Sequence, residues 1–154
     1  MSEMIKESMF NEFLYSTDKA KLAIPYIHEF LEHSYWAKGI PQSVVETSIE
    51  NSLCIGIYHD SRQIGFARLI TDYATFAYLA DVFVDEKYRG KGVSKALMQF
   101  ILSFGFCNGL RRIMLATWDA HGLYNQFGFQ PLQRPDRYME IHHPDVYLSS
   151  NTAL

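Results

Sequence analysis

The sequence predicts a mixed α+β fold in which helices flank a central, mostly antiparallel mixed sheet. Short apolar or alternating runs separated by turn residues fill the middle of the chain, which is typical of an antiparallel meander. From residue 90 onward, segments with helical spacing alternate with short apolar runs, so a strand–helix order follows the meander. No repeat, linker or low-complexity segment divides residues 1–154, and we expect one domain.

The first third of the chain predicts one strand followed by two helices. The candidate strand covers residues 11–16. Apolar residues recur at helical spacing over 22–33, and Pro25 stands near the start, where its missing N–H costs little. Pro41 opens a second helical segment over 42–51. We therefore expect two amphipathic helices before the meander.

The meander contains three predicted strands. These strands cover residues 53–58, 63–71 and 75–84. The first two are joined by a turn, which Asp60 and Ser61 favour because their side chains can hydrogen-bond their own backbone. The second strand alternates, which places four side chains on one face. Those four are Ile64, Phe66, Arg68 and Ile70.

The C-terminal half predicts two helices and up to three more strands. The helices cover residues 90–106 and 120–127, and the strands 112–117, 129–132 and 137–141. Asp119 suits the N-cap of the second helix, and Gly128 suits its end. The strand over 137–141 could be a sheet edge that pairs between subunits. We expect the tail after residue 142 to be loosely ordered, and residues 151–154 to fray most.

Composition and charge narrow the classes of function. A net charge of -3 without basic blocks argues against nucleic-acid binding, which needs clustered Lys and Arg. Neither a signal core nor a membrane-spanning run is evident, so we expect a cytoplasmic protein without membrane partners. Cys54 and Cys107 lie in apolar settings and are expected to be buried thiols. Because no His or Cys cluster has metal-ligand spacing, we expect no metal.

A glycine-containing loop between a strand and a helix carries the clearest chemical signal. Residues 89–94, Arg-Gly-Lys-Gly-Val-Ser, span the start of the helix predicted over 90–106. The first N–H groups of a helix have no intrahelical partner, and glycine lets a bulky anion approach the backbone. This pattern indicates a phosphate or pyrophosphate site, although a turn that needs glycine only for its shape remains the alternative. The P-loop and dinucleotide-binding patterns are absent, and a near-match to a hydrolase elbow at 92–96 lacks its last glycine.

Two motifs together resemble the GNAT superfamily of acetyl-CoA-dependent N-acetyltransferases. The loop 89–94 resembles the coenzyme A motif of that family, with Ser94 standing where Gly or Ala is usual. Residues 123–129, Leu-Tyr-Asn-Gln-Phe-Gly-Phe, resemble a second hallmark, a tyrosine on a short helix followed by Gly-Phe. Both occur in the family's order, and the resemblance covers at least residues 52–132.

The resemblance implies a fold, a cosubstrate and a set of binding residues. The sheet would splay where the family's fourth and fifth strands part, and acetyl-CoA would occupy the opening. Backbone amides of the loop would hold the pyrophosphate, and the preceding strand would pair with the pantetheine arm. A strand N–H would polarise the thioester carbonyl. The implied cofactor-binding residues are Val82, Phe83, Val84, Arg89, Gly90, Lys91, Gly92, Val93, Ser94, Asn125 and Phe127.

The resemblance also implies catalytic roles. Tyr124 matches the position proposed to protonate the leaving thiolate. Asp81 is the leading candidate for a base, because its strand would meet the acetyl group. The alternatives are a satisfied polar residue at a strand start, His121 as the base on the helix of Tyr124, or deprotonation through water. Candidate substrate contacts on the helices, strands and loops are Trp36, Arg68, Asp72, Tyr78 and His121, together with Tyr35 and Tyr73.

The sequence thus predicts an enzyme that moves an acetyl group from acetyl-CoA to a primary amine by direct attack on the thioester. The acceptor would be a small-molecule amine or a peptide, and the protein a monomer or a homodimer. A noncatalytic acyl-CoA-binding or sensor module on the same scaffold is the alternative. The presence of Tyr124 favours the enzyme, because a binding module needs no acid for a thiolate.

Overall fold

The computed structural model describes residues 4–149, and a single six-stranded sheet forms its centre. Its strands, in sequence and sheet order, are β1 (Glu7–Phe10), β2 (Phe13–Ser16), β3 (Leu53–His59), β4 (Arg62–Thr71), β5 (Phe76–Val84) and β6 (Arg112–Leu115). Neighbours from β1 to β5 pair antiparallel, and β6 pairs parallel to β5. The predicted mixed α+β fold is confirmed.

Helices cover both faces of the sheet. They are α1 (Ile24–Glu32), α2 (Gln42–Glu50), α3 (Val93–Leu102), α4 (His121–Asn125) and α5 (Val146–Ser149). The first core lies between the sheet and the α3 side and includes Leu97 and Phe100. The second core lies on the opposite face and includes Ile27 of α1 and Val45 of α2. Within residues 4–149, no helix combines the length and apolar character that crossing a membrane requires.

A bulge in β4 separates two side chains that the alternation placed together. Ile57 is opposite Gly65 and Tyr58 is opposite Gln63, so Ile64 is an extra residue. Because a bulge interrupts the two-residue period, Ile64 joins the α3 core whereas Phe66 joins the α1–α2 core. The expectation that both side chains share one face was wrong.

A second bulge, in β5, shapes the region of the expected base. Phe66 pairs with Phe83 and Arg68 pairs with Ala80, so two residues of β5 oppose one residue of β4. The two residues of β5 in this bulge are Asp81 and Val82. Asp81 has φ of 55°, in the left-handed region that non-glycine residues seldom occupy. The strand therefore bends at this position.

The pairing of β5 with β6 ends soon after it begins. It runs from Phe76 opposite Arg112 to Leu79 opposite Leu115. Beyond that point the rest of β5 has no β6 partner, and the two chain segments diverge. The splay implied by the family resemblance is present, between the fifth and sixth strands of this chain.

Several element boundaries differ from the prediction at the N-terminal half and at α3. Residues 7–16 form a β1–β2 hairpin rather than one strand, because Asn11 takes a φ of 53° and turns the chain. The helix predicted over 90–106 begins only at Val93, since Gly90 and Gly92 both have φ near 80°. Cys54 and Cys107 are buried thiols, as expected.

The C-terminal segment contradicts two further predictions. The strands expected over 129–132 and 137–141 are absent, and residues 130–146 are exposed. Three prolines, Pro131, Pro135 and Pro144, remove backbone donors that a sheet needs, and Pro135 begins a 3-10 turn instead. The proposed edge strand for subunit pairing is therefore missing. Residues 146–149 are helical rather than loosely ordered, and residues 151–154 lie outside the described range.

The α3 helix is tied to the sheet by a buried hydrogen bond. The hydroxyl of Tyr15, a fully buried residue of β2, donates to the carbonyl oxygen of Val93 over 2.9 Å. Burial raises the pKa of this phenol, so it stays a donor. Val93 is the first residue of α3, and this bond therefore joins β2 to the start of the helix.

We expect Tyr15→Phe to lower the free energy of unfolding by about 1 kcal/mol, because it removes one buried hydrogen bond without changing the ring. Urea denaturation followed by far-UV circular dichroism measures this change. Tyr138→Phe, at an exposed ring, is the matched control and should leave the midpoint unchanged. Equal midpoints for both variants would contradict a stabilising role for the Tyr15 hydroxyl.

Candidate functional site

A cavity of about 620 Å³ lies where β5 and β6 diverge. One wall is the second half of β5, and the facing wall is the chain that leaves β6, residues 115–120, with α4 behind it. A second cavity of about 370 Å³ adjoins the first through shared lining residues. The shared residues are Val84, Arg89, Ser94 and Leu123. The two adjoining cavities form a channel that runs from the glycine loop to the point where β5 and β6 diverge.

The glycine loop forms the floor of the smaller cavity. Gly90 and Gly92 have φ of 79° and 78°, and no heavy atom lies within 4 Å of where a Cβ would stand at either position. The space above the backbone is therefore open. Gly92 is the N-cap of α3, and no side chain caps this helix. The first N–H groups of a ten-residue helix thus face a cavity without a protein acceptor, which is the geometry of an anion site.

Basic side chains border this end of the channel. Arg89 lines both cavities, and its Nε donates to the carbonyl oxygen of Val84 over 3.4 Å. Lys95 lines the smaller cavity, whereas the Nζ of Lys91 lies 5.7 Å from the centre of the Tyr88 ring. Positive charge and helix N–H groups act together here, so an anion as large as a pyrophosphate fits this end.

Tyr124 is buried on α4 and lines the larger cavity. The helix is placed by Thr117, whose Oγ1 accepts from the N–H of Ala120. Asp119, expected as the cap, makes no such bond, and this prediction was wrong. Burial raises the pKa of the Tyr124 phenol, and the charges of Asp119 and Tyr35 raise it further. The phenol is therefore a neutral proton donor across the physiological range.

Asp81 lies in the cavity wall and is held by two donors. Its Oδ2 accepts from Nε of Arg68 over 2.9 Å, and its Oδ1 accepts from Nε1 of Trp36 over 2.9 Å. Arg68 also donates to Oγ of Ser52 over 3.0 Å. Both charged side chains are largely withdrawn from solvent, with 15% and 10% of their surface exposed. Arg68, predicted as a substrate contact, is thus a partner of Asp81 rather than a lining residue.

An aromatic rim borders the other end of the cavity, and it consists of Phe30, Tyr35, Trp36 and Trp118. The rings of Tyr35 and Trp118 stack with centroids 4.3 Å apart, and Tyr35 meets Trp36 edge-on at 5.0 Å. Phe30 stacks on Phe83 at 3.9 Å, which joins the rim to β5. Sequence reasoning missed Phe30 and Trp118. Only the position of Trp118, just after a buried strand, could have suggested an exposed aromatic at a strand end.

The channel collects most of the predicted site residues. Those that line it are Tyr35, Trp36, Tyr78, Asp81, Val82, Phe83, Val84, Arg89, Gly90, Gly92, Val93, Ser94 and Tyr124. Four others are on nearby elements without lining it. Lys91 is in the loop, His121 and Asn125 are exposed at the two ends of α4, and Phe127 packs against the α3 core.

Asp72 is not brought to the cavity. It lies in the turn between β4 and β5, where its carboxylate accepts from backbone N–H groups of Ala74, Thr75 and Phe76. The hydroxyl of Thr75 also donates to it, and these bonds hold the pKa of Asp72 well below its usual range, with the hydroxyl contributing most. The structure therefore gives this carboxylate a turn-forming role. Tyr73, in the same turn, contacts the ring of Phe106.

Among residues 4–149, no group of three or more His, Cys, Asp or Glu side chains is placed to hold a metal ion.

Comparisons with known proteins agree with this geometry. The model of the acetyltransferase (GNAT) family matches residues 13–129. A solved protein from Xanthomonas campestris, assigned to that family, is 48% identical, with a TM-score of 0.87 over 90% of this chain and 99% of that one. A protein of Gibberella zeae assigned as an acetyltransferase is 28% identical over 75% of this chain and 77% of its own length.

A third comparison extends the likeness to a structure solved with its ligand. A Clostridium acetobutylicum protein, assigned as an acetyltransferase and solved with acetyl-CoA, is 12% identical, with a TM-score of 0.59 over 90% of this chain and 96% of that one. At this identity the likeness shows a common fold. From the family match and the shared fold, the chain belongs to the GNAT family of acetyltransferases.

Proposed function

We propose that this protein transfers the acetyl group of acetyl-CoA to the nitrogen of a primary amine. One observation carries the proposal: an uncapped helix N-terminus with two open glycines leads directly into the channel that ends at Tyr124. The residues fit acetyl-CoA, because the loop suits a pyrophosphate and the channel is long and largely apolar beyond it. The Clostridium acetobutylicum neighbour solved with acetyl-CoA supports this assignment.

The cosubstrate would be held mainly by backbone groups. Amides of the loop 89–94 would bind the pyrophosphate, with Arg89 and Lys91 adding positive charge. Residues 82–84 lie past the last β5–β6 pair, so their free strand edge can pair with the amides of the pantetheine arm. Val82 lies in the bulge, where an unpaired strand N–H can point at the thioester oxygen. Asn125 at the end of α4 and Phe127 just beyond it would support the channel wall from behind without lining it.

The proposed reaction needs two proton transfers. The acceptor ammonium loses a proton, and its neutral nitrogen attacks the carbonyl carbon of the thioester. The C–N bond forms, the C–S bond breaks, and the sulfur leaves as a thiolate that takes the phenolic proton of Tyr124. Asp81 would receive the proton of the ammonium, because each of its oxygens retains a lone pair beyond the bonds from Arg68 and Trp36.

We expect Gly92→Asp to raise the dissociation constant of acetyl-CoA at least ~10-fold, because it places a negative charge at the helix N-terminus that should hold the pyrophosphate. Isothermal titration of the purified protein measures this constant. Gly92→Asn has the same size without the charge, and asparagine tolerates the positive φ. Gly109→Asp adds the same charge at an exposed glycine elsewhere. Unchanged affinity in Gly92→Asp would overturn the proposed pyrophosphate site.

We expect Tyr124→Phe to lower kcat about 10²-fold through loss of the proton donor, while acetyl-CoA affinity stays nearly unchanged. Release of the coenzyme A thiol measures kcat, and titration measures affinity. Because burial raises the phenol pKa above its ordinary value of 10, wild-type activity should show no ionisation of this group below about pH 10. An equal kcat in Tyr124→Phe would mean that another group protonates the thiolate.

Acetyl-CoA binding without turnover of any amine by the wild type would favour the noncatalytic module.

We expect Asp81→Asn to lower kcat/KM at least ~10-fold while acetyl-CoA affinity stays nearly unchanged, because the variant cannot accept the ammonium proton. Arg68→Gln is the control, since it breaks the same ion pair but keeps the carboxylate, and it should retain more of kcat/KM. Circular dichroism verifies that both variants fold. An equal loss of kcat/KM in the two variants would show that Asp81 only positions Trp36 and β5.

A further inference from the structure

The aromatic rim exposes three large side chains next to one another. Tyr35, Trp36 and Trp118 have 55%, 42% and 71% of their surface exposed, yet their rings contact one another. Exposed large side chains that cluster at the mouth of a cavity indicate a ligand-binding surface. The rim lies at the opposite end of the cavity from the glycine loop, so a cosubstrate held at the loop leaves the rim end open to an acceptor.

The charges of the cavity are distributed unequally between its two ends. Among the described residues that line the larger cavity, the charged ones are Asp81, Arg89 and Asp119. Arg89 belongs to the loop end. Asp81 is neutralised by Arg68, whereas Asp119 is exposed and has no ion pair among residues 4–149. The rim end therefore carries one uncompensated negative charge beside electron-rich aromatic faces, an environment that attracts cations.

This environment does not suit the nitrogen that reacts. The reacting amine must lose its charge before it attacks, and a group that stabilises the ammonium would raise the barrier to that step. Asp119 and Tyr35 line the same cavity as Tyr124, so the rim adjoins the proposed reaction centre. A cation bound at the rim is therefore best explained as a second positive group of the same acceptor.

We propose that the acceptor is a small amine with a second cationic nitrogen, and that Asp119 and the stacked faces of Tyr35 and Trp118 bind that second nitrogen. The acceptor role of the bound molecule rests on the proposed acetyl transfer. The rim thereby selects diamines, and larger amines with two separated charges, over monoamines of the same length.

A matched pair of amines tests this selectivity. 1,4-Diaminobutane and 1-aminopentane have the same number of heavy atoms and differ only in a terminal ammonium that replaces a methyl group. We expect kcat/KM, measured from thiol release, to favour the diamine about 10-fold in the wild type, beyond the factor of about two from its two equivalent ends. Asp119→Asn and Trp118→Leu should reduce the ratio to that factor.

Two control variants make the same chemical changes outside the cavity. Asp60→Asn removes a carboxylate from the β3–β4 turn, and Tyr138→Leu removes an exposed aromatic ring that contacts Arg112. Both should retain the wild-type ratio. A wild-type ratio near two, or an Asp119→Asn ratio equal to that of the wild type, would overturn the proposal even if acetyl transfer itself is efficient.

Fluorescence separates failure of this proposal from failure of the proposed function. Trp36 and Trp118 are the two tryptophans of the chain, and both line the cavity, so binding at the rim can be followed without acetyl-CoA. We expect saturable quenching by 1,4-diaminobutane that Asp119→Asn weakens, and a weaker response to 1-aminopentane. Equal responses to both amines would contradict the rim site. Selective diamine binding in a protein that does not bind acetyl-CoA would instead overturn acetyl transfer and with it the acceptor role.

Discussion

The ion pair between Arg68 of β4 and Asp81 of β5 is the interaction on which the site depends. Asp81 occupies a left-handed backbone conformation inside a strand, which costs free energy unless the surroundings hold it. The guanidinium of Arg68 and the indole of Trp36 supply that hold, and Ser52 in turn supports Arg68. Removing one partner of the ion pair leaves a charge without compensation. The side chains of Arg68, Trp36 and Ser52 therefore stabilise the bulge at Asp81 together.

The bulge has consequences for the whole larger cavity. A bent β5 cannot follow β6, and the parallel pairing stops after Leu79. The opening that results exposes a strand edge on one side and the chain around Tyr124 on the other. The glycine loop and the start of α3 close one end with backbone donors and basic side chains. At the other end lie the ring faces of the aromatic rim and the exposed carboxylate of Asp119. One distortion of one strand thus creates a channel whose two ends favour opposite charges.

The parts of this arrangement that the sequence could predict are those encoded by neighbouring residues. The loop 89–94 and the stretch 124–128 could be predicted because turn geometry and helix starts depend on local chemistry. The bulges were not, because they arise from the register of two strands. Tyr35 and Trp118 are 83 positions apart, and Trp36 and Asp81 are 45 apart, so only the folded chain brings them together. The last two predicted strands are absent for a local reason, because Pro131 lies inside the first of them and Pro135 begins a 3-10 turn just before the second.

The short contact between β5 and β6 makes β6 the more weakly attached part of the sheet. Four residue pairs connect β6 to the sheet, whereas β3, β4 and β5 are joined by long antiparallel ladders. The amide hydrogens of Ile113 to Leu115 should therefore exchange with solvent through openings that leave the antiparallel block intact. Such an opening would widen the channel from the Tyr124 side. For the proposed cosubstrate, the easiest exit is then a hinge at β6 rather than the loop 89–94.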